Sequence, residues 1–443
     1  MTKQIKILIG AALAAFCLLG LIAAGAAFYL FSFYQGRVSF DQGCTAMNDR
    51  DYETAVARFS AALRKPQVTV YRAYAFQNRA FCENAKGKHD DAIRDYTEAL
   101  RVDPKLAYAY GARGTLYDDK GEKDKAFNDY SDALRLDPNA SYYLFRRGLI
   151  DLQRKDWDKA IEDFSEAIRT EPSSSRAYYE RGIAYTRKND LDHALVNFEA
   201  AIDLWPTYAA AYVERGYIHK RQHKLNEAIA DYNHALALSQ KYEPGYRARG
   251  FAFYEAKQWP QALADFNRAI ELSPKDVFAW EGRGFTYSRM GVEDRAIADF
   301  SEMIRIKKSA VAYDCRGYAY SRKGNYAQAL ADFQEAVRVA PTDGSSQNDL
   351  AWLLATCPDQ TIRNGNEAVA HAAKACDLSH WKDGRWIDTL AAAYAETGQF
   401  DLAVAYQEEA RWSGDWGQDV IKEMEKRRAL YLIHRAFRDE KSR

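Results

Sequence analysis

The sequence repeats itself every 34 residues. Glycines recur at this interval between residues 114 and 284, an alanine follows each of them 12 positions later, and an aromatic residue follows each alanine by four. A period of this length restricts the chain to an array of similar units, because each unit buries its apolar face only by stacking on its neighbours. The three series are Gly114, Gly148, Gly182, Gly216, Gly250 and Gly284; Ala126, Ala160, Ala194, Ala228, Ala262 and Ala296; Tyr130, Phe164, Phe198, Tyr232, Phe266 and Phe300.

Length and composition agree with a helical array. A single hydrophobic core stops growing at about 250–300 residues, whereas this chain has 443. Prolines number only 10, and several of them stand where one unit would end and the next begin. Within a unit, small residues such as Gly114 and Ala126 let two helix axes approach closely, and a turn such as Lys120-Gly121 joins the helices.

The pattern resembles the tetratricopeptide repeat, in which W-x2-L-G-x2-Y, A-x3-F and P follow one another over 34 residues. The unit 107–140 carries residues of this pattern at Tyr110, Gly114, Tyr117, Ala126, Tyr130, Ala133 and Pro138. The resemblance implies an all-α protein, a right-handed α-solenoid of stacked helix-turn-helix repeats. It covers nearly all of the chain after the apolar N-terminal segment.

The phase of the repeat divides the chain. We predict nine regular units over residues 36–343 and two irregular units over 344–417. Residues 418–443 form a final helix, whose eight Lys and Arg residues suit it to cap the array and keep its outer face soluble.

An uncharged segment precedes the repeats. It runs from Ile7 to Phe33, and these 27 residues exceed the roughly 20 that a helix needs to cross a bilayer. Lys3 and Lys6 precede the segment, and basic residues favour the cytoplasmic side of a membrane. We therefore expect residues 1–6 in the cytoplasm and a transmembrane signal-anchor helix over 7–34. The repeats would then lie outside the inner (cytoplasmic) membrane, in the periplasm of a Gram-negative cell.

A cleaved signal peptide is the alternative interpretation of this segment. Ala24-Gly25-Ala26 offers a run of small residues at which a signal peptidase could cut, and the protein would then be secreted or periplasmic. The apolar run continues past this point to Phe33, longer than the apolar core of an ordinary signal peptide.

Arginine and aspartate recur with the repeat. An arginine stands directly before each repeat glycine or its equivalent, and an aspartate, or Asn197 in one unit, follows 16 residues later. The regular spacing predicts ion pairs between stacked helices, which set the stacking register. A stripe of arginines that binds anions is the functional alternative. The ladder residues include Arg113, Asp129, Arg147, Asp163, Arg249, Asp265, Arg283 and Asp299.

A second set of residues lies where the family resemblance implies a concave groove for extended peptides. The second, fifth, ninth, twelfth and thirteenth positions of each unit would face this groove. In the middle units these positions combine basic side chains with aromatic rings, which suits acidic or aromatic-bearing peptide segments. The alternatives are aromatic rings that only pack between helices and arginines that are only solvated. The candidates are Arg187, Tyr217, Lys220, Arg221, Phe251, Tyr254, Phe285, Arg289, Tyr318 and Arg322.

Several function classes find no support in the sequence. Lys plus Arg and Asp plus Glu both number 62, so the chain lacks the basic surplus that nucleic-acid binding needs. It has no phosphate-binding loop, GxSxG or HExxH motif. His219 and His223 stand four apart without an evident third metal ligand. We expect no enzyme, no catalytic residue, no cofactor and no metal, and we interpret the scattered cysteines as buried free thiols.

These observations favour a membrane-anchored scaffold that binds partner proteins or peptides in the groove of its repeats. One alternative is a secreted or periplasmic repeat protein that binds a small molecule or a glycan. Another is self-association, in which the repeats of two copies pair into a homo-oligomer.

Overall fold

The computed structural model describes residues 3–65, 71–414 and 416–439, and for residues 3–20 it describes the backbone only. All regular secondary structure in these ranges is helical, with 23 α-helices and no strand. The expected all-α class is therefore confirmed. The structure divides into two compact units, Met1–Thr207 and Tyr208–Arg443, which are described separately below.

The first unit contains ten helices among its described residues. They are α1 Lys3–Asn48, α2 Tyr52–Leu63, α3 Arg72–Ala85, α4 His89–Val102, α5 Ala107–Asp119, α6 Lys123–Leu136, α7 Ser141–Gln153, α8 Trp157–Thr170, α9 Ser175–Arg187 and α10 Leu191–Leu204. The second unit contains α11 Ala209–Arg221, α12 Leu225–Leu238, α13 Glu243–Glu255, α14 Trp259–Leu272, α15 Val277–Arg289, α16 Glu293–Ile306, α17 Ala310–Lys323, α18 Tyr326–Val339, α19 Gly344–Thr356, α20 Gly365–Leu378, α21 Gly384–Glu396, α22 Phe400–Trp412 and α23 Gln418–Leu432.

Consecutive helices pair into hairpins, and the repeat residues explain the pairing. A Cβ on Gly182 in α9 would lie 2.7 Å from the ring of Phe198 in α10, and a Cβ on Gly216 would lie 2.7 Å from the ring of Tyr232. The glycine thus gives the aromatic ring of the second helix room to pack on the backbone of the first helix. Both rings are fully buried.

In eight successive hairpins, from α3–α4 to α17–α18, the turn uses one residue with left-handed backbone geometry. Half of these positions are glycine, for which positive φ costs nothing, and the others accept a conformation that is uncommon for residues with a side chain. The residues are Gly87, Gly121, Lys155, Asn189, His223, Lys257, Gly291 and Gly324, with φ between 58° and 81°. The same turn geometry therefore recurs at the repeat interval.

Helix α1 runs across the boundary that we predicted between the N-terminal segment and the first repeat. We predicted a membrane span over 7–34 and a separate first repeat from residue 36, but α1 continues without a break from Lys3 to Asn48. No proline interrupts this sequence, and a single glycine such as Gly36 does not end a helix. The last turns of α1 pack on α2 around Phe59, and a Cβ on Gly43 would lie 2.7 Å from this ring.

A search of the described residues finds no helix with the length and apolar character needed to cross a membrane. The predicted span 7–34 begins among residues whose side chains lie outside the described part of the structure. The side chains of this span are described from Leu21 to Tyr34. Among them, Leu21, Ile22, Phe28, Leu30 and Phe31 are exposed apolar residues.

The last hairpins end in a closing helix. The connection between α19 and α20 spans residues 357–364, longer than the other hairpin turns of this unit. Helix α23 is joined to α21 and α22 by a buried polar cluster: Arg427 donates to both Asp388 oxygens at 3.0 and 2.8 Å, and the Gln407 amide donates to Asp388 at 2.7 Å. The described cysteines other than half-buried Cys44 are buried, and all five are free thiols.

Candidate peptide-binding surface

The repeat arginines lie inside the hairpins. Arg249 donates from Nε and Nη2 to the two Asp265 oxygens, each at 2.7 Å, and Arg283 does the same with Asp299 at 2.9 and 2.7 Å. Equivalent pairs join Arg113 to Asp129 and Arg147 to Asp163 at 2.7–2.8 Å. Their aspartates are buried, so these guanidiniums hold two helices of one hairpin together.

The third guanidinium nitrogen reaches the preceding hairpin, which the sequence analysis did not foresee. Nη1 of Arg249 donates to Asn233 at 2.6 Å and Nη1 of Arg283 donates to Asn267 at 2.7 Å. Nη1 of other repeat arginines donates in the same way to Ser60, Thr97, Ser131, Ser165 and Ser301. A sequence signal exists, because six of these acceptors stand two residues after the repeat aspartate, in Asp-aromatic-Ser, Asp-aromatic-Thr or Asp-aromatic-Asn triplets, whereas Ser60 stands two residues after Arg58.

Two hairpins depart from this arrangement. Arg181 faces Asn197 and donates to its amide oxygen at 2.8 Å, so this pair carries no carboxylate. Burial lowers the pKa of Arg181, whereas hydrogen bonding to Asp265 raises the pKa of Arg249. Arg316 pairs with Asp332 in the ordinary way but reaches Ser301 over a spacing of 15 residues, where the others span 16 or more. The ladder is thus tolerant of a neutral partner and of a shortened repeat.

Candidate groove residues on α11, α13 and α15 lie side by side. Lys220 on α11 forms an ion pair with Glu255 on α13 at 3.0 Å and lies 5.9 Å from the ring centre of Phe251. Arg289 on α15 donates from Nε to the Tyr254 hydroxyl on α13 at 3.1 Å. These contacts cross from one first helix to the next. We call the set the aromatic–basic surface: Tyr217, Lys220, Arg221, Phe251, Tyr254, Phe285 and Arg289.

The rings of this surface have a packing role as well. Phe251 packs edge-on against the buried Phe266 with ring centres 5.0 Å apart, and Phe285 packs on Phe300 at 5.5 Å. Both residues are only half-buried, so part of each remains accessible to solvent. Arg221 lies over the ring of Tyr217 and donates to its hydroxyl at 3.3 Å. The surface therefore offers ring faces beside cationic groups.

Helix α17 contributes differently. Its Arg322 forms an ion pair with Glu293 of α16 at 2.8 Å, which ties this arginine to a second helix. Tyr318 donates its hydroxyl to Asp349 at 2.5 Å, and its ring packs edge-on against Phe333. These contacts of the two side chains are therefore with α16, α18 and α19, and not with residues of the aromatic–basic surface. Arg187, in the unit Met1–Thr207, is an exposed residue at the end of α9.

Buried or half-buried carboxyls lie on the first helices α15, α17 and α19, and the sequence pattern did not single them out. Burial raises the pKa of Asp314 to about 7 and the pKa of Asp349 to about 6, and burial also raises the pKa of Glu281. Ser346 has its hydroxyl 2.6 Å from Asp314 and 2.9 Å from Asp343. Both carboxylates are acceptors for the Ser346 hydroxyl, and the bond to Asp314 is the shorter one. This hydrogen bond lowers the pKa of Asp314, but burial raises it by more.

A small cleft lies on the unit Met1–Thr207. It has a volume of about 230 Å³ and is lined by Tyr142, Phe145, Arg146 and Arg176, among others. Arg146 is held by Asp118 at 2.6 Å, and Arg176 lies over the Phe145 ring at 5.6 Å. Small-molecule sites usually have about 300–1,000 Å³, so this cleft is small for such a ligand.

The two histidines considered as metal ligands do not share a helix face. Helix α11 ends at Arg221, and His223 lies in the following turn with φ 61°. His219 lies 3.7 Å from Asp231. Across the described residues, no group of three or more His, Cys, Asp or Glu side chains is placed to hold a metal ion.

Family comparisons agree with the repeat architecture. Models of the tetratricopeptide repeat match residues 85–141, 175–208, 209–242 and 310–343. A further TPR-repeat model matches residues 148–189 and 250–291. Together the matches cover about half of the chain. No curated protein matches the sequence.

Several solved structures are similar to parts or most of this chain. A tetratricopeptide repeat protein from Parabacteroides merdae is 23% identical, with 57% of this chain and 99% of that chain covered and a TM-score of 0.41. Yeast Tom70 is 17% identical, with 90% and 96% covered and a TM-score of 0.46. YrrB, described as a TPR protein with an unusual peptide-binding site, is 23% identical, with 41% and 95% covered and a TM-score of 0.34.

Proposed function

Because this chain belongs to the tetratricopeptide-repeat family, we propose that it is a scaffold that binds partner proteins through peptide segments. The aromatic–basic surface is the proposed binding site within the unit Tyr208–Arg443. One observation carries the proposal: the contacts of Lys220 and Arg289 with α13 place rings and cations from three successive first helices next to one another.

The chemistry of this surface selects the ligand. Half-buried rings such as Phe251 and Phe285 bury apolar or aromatic side chains of a bound segment. The exposed Arg221 and Arg289 attract carboxylates and bind them with two parallel hydrogen bonds when geometry allows. We therefore propose an extended segment that carries acidic and aromatic residues, in accord with the peptide-recognition modes of helical grooves.

Site-specific crosslinking tests the proposal. A photoreactive amino acid in place of Tyr254 should crosslink partner proteins in native membranes or lysates. The matched control carries it in place of Arg268, a partly exposed residue of the second helix α14 that is paired with Glu271. Partners captured from Tyr254 and not from Arg268 support the scaffold. The paired change Arg221→Glu and Arg289→Glu should abolish the crosslink, and equal capture from both positions would contradict the proposal.

The proposal includes anchoring of the N-terminal helix in the inner membrane, with the repeats in the periplasm. Its support is the uncharged run from Ile7 to Phe33, the lysines that precede it, and the exposed apolar side chains of α1 from Leu21 onward. Carbonate extraction of membranes tests the anchor, since a peripheral protein is released. Labelling of Cys82 and Cys315 in intact cells after denaturation reports the side of the membrane, because both thiols are buried in the fold.

Two other functions are distinguished by simple measurements. A repeat protein that binds a small molecule or glycan would show saturable ligand binding that survives Arg221→Glu and Arg289→Glu. A homo-oligomer would show a mass above that of the 50.4 kDa chain in mild detergent. The contacts described here favour neither over the scaffold.

A further inference from the structure

The segment 435–439, which follows α23, lies against the first helices α19 and α21. The backbone N–H of Asp439 donates to the Thr356 carbonyl at 2.9 Å. The indole Nε1–H of Trp352 donates to the Asp439 carboxylate at 3.0 Å. No helix or strand includes this segment, and its last residue contacts helical residues more than 80 positions earlier in the chain.

Charge and ring contacts extend the interaction. Arg438 forms an ion pair with Glu396 at 2.7 Å, and Glu396 is also held by Arg363 at 2.9 Å. Phe437 lies 6.0 Å from the Trp352 ring, centre to centre. The guanidinium carbon of Arg427 lies 5.7 Å from the Trp352 ring centre and 5.6 Å from that of Phe437. Each of the residues 437–439 therefore has its own contact.

The helical residues in these contacts correspond in register to the aromatic–basic surface. Counted from the start of its helical unit at 344, Trp352 is the ninth residue, as Phe251 and Phe285 are in theirs. Thr356 and Glu396 are the thirteenth residues of their units, as Arg221 and Arg289 are. On the last two hairpins, the segment thus covers repeat positions whose equivalents on α11, α13 and α15 are half-buried or exposed.

Polar groups on this part of the protein depend on the segment. Thr356 is the last residue of α19, and the carbonyls at the end of a helix lack a partner within the helix. Loss of the segment would leave the Thr356 carbonyl and the Trp352 N–H without these hydrogen bonds. The Thr356 carbonyl accepts from a backbone N–H, the Trp352 indole donates to a carboxylate, and the Glu396 carboxylate pairs with a cation. A peptide with a basic residue followed by an acidic one satisfies all three groups.

We propose that the segment 435–439 is an intramolecular ligand of the last two hairpins. The surface of Trp352, Thr356 and Glu396 binds an extended segment with an aromatic, a basic and an acidic residue in succession. A partner segment with this chemistry binds there only in exchange for the chain's own. The inference deepens the proposed function and rests on it for the existence of a partner, but occupation by the chain's own segment can be measured without one.

Competition sets the size of the expected effect. A ligand on a short tether has an effective concentration on the order of 1 mM. A free peptide that binds the vacant surface with a Kd of roughly 0.1 mM would therefore bind the intact protein about tenfold more weakly.

The test uses the full chain and a fluorescent peptide with the sequence of residues 433–439. The released variant carries Phe437→Ala, Arg438→Ala and Asp439→Ala. We expect anisotropy measurements to show binding to the released variant about tenfold tighter than to the unaltered protein. Addition of Glu396→Lys to the released variant should abolish binding, and a peptide with Arg438→Glu should restore it, because the charges are then exchanged.

Three results would overturn the inference. One is no peptide binding by a released variant whose circular dichroism shows full helix content. Another is equal affinity for the released and unaltered proteins. The third is an unaltered protein that dimerises and is made monomeric by the same substitutions, since the segment would then bind in a second copy. If crosslinking from Tyr254 persists in any of these cases, the scaffold proposal is unaffected. If that crosslinking is lost while the peptide still binds, only the scaffold proposal is rejected.

Discussion

At the residue scale, Gly111 and Tyr143 are matched in size across two hairpins. A Cβ on Gly111 would lie 2.0 Å from the Tyr143 ring. The residue at the repeat position of Tyr143 is alanine in several other units, such as Ala109 and Ala177, so the large ring here fills the space that the missing side chain leaves.

This match predicts that Gly111→Ala changes the free energy of unfolding in opposite directions in the presence and absence of the Tyr143 ring. Gly111→Ala should lower the free energy of unfolding by about 1–3 kcal/mol, because the added methyl group overpacks the ring. In a Tyr143→Ala background the same change should raise it by about 0.5–1 kcal/mol, because alanine favours a helix more than glycine does. Urea unfolding of the four proteins measures both values. An equal loss in the two backgrounds would show that the ring is not the cause.

Asp314 predicts a pH dependence of stability. Its pKa is about 7 in the fold and 3.8 ordinarily, chiefly because it is buried. A raised pKa favours the protonated form in the fold, so the stabilisation is complete below about pH 4 and is lost as the pH rises through 7. Relative to the Asp314→Asn variant, the unaltered protein should lose up to about 4 kcal/mol over this range. Thermal unfolding from pH 4 to pH 8 checks this, and parallel curves for the two proteins would contradict it.

At the element scale, a repeat arginine such as Arg283 joins three helices. Arg283 binds Asp299 in its own hairpin and Asn267 in the preceding one, and it lies 4.7 Å from the Trp280 ring centre. A lysine has a single ammonium and could not make this set of contacts in one plane. The arginine therefore fixes both the closure of a hairpin and its stacking on the previous one.

A matched pair of substitutions separates charge from packing. Arg283→Met leaves the buried Asp299 carboxylate without its partner and should cost about 3–5 kcal/mol. Arg181→Met leaves only the Asn197 amide and should cost about 1 kcal/mol. Hydrogen exchange of α15 and α16, compared with that of α9 and α10, measures the two losses. Similar losses at both sites would mean that the carboxylate adds nothing.

The sequence predicts the helical elements better than it predicts contacts between elements that are far apart in the chain. The 34-residue period predicts helical hairpins, because a glycine such as Gly182 and an aromatic residue such as Phe198 can pack together only if they recur at a fixed spacing. The spacing of Arg249 and Asp265 likewise indicates their pairing. A period describes only neighbouring units, so it carries no information on a contact such as that of Trp352 with Asp439, 87 residues apart. The continuity of α1 was missed because the hydropathy change near residue 35 is not a helix-breaking signal.

At the scale of the whole molecule, stability is a property of neighbouring helices rather than of one core. Buried apolar residues form separate clusters along the chain, for example around Phe300 and around Leu390. In such arrays a local change destabilises the hairpins beside it and leaves distant ones intact.

The polar cluster at the end of the array tests this locality. Asp388→Ala removes the partner of the buried Arg427 and should cost about 3–5 kcal/mol. Hydrogen exchange should show lost protection in α21, α22 and α23 and unchanged protection in α11 to α14, in the same unit. Asp388→Asn is the control, since it keeps the size of the side chain and one acceptor. Loss of protection throughout the unit would mean that it unfolds as one body.

The shortened repeat between Gly284 and Gly317 has a consequence for how such a gene can change. Three residues connect α16 to α17, where four connect α14 to α15, and Arg316 still contacts both Asp332 and Ser301. Codons between hairpins can therefore be lost or gained singly, while the stretch of coding sequence from each arginine to its aspartate keeps a constant length. Duplication or deletion of whole repeats preserves that length as well, so both kinds of event leave a foldable array for selection to act on.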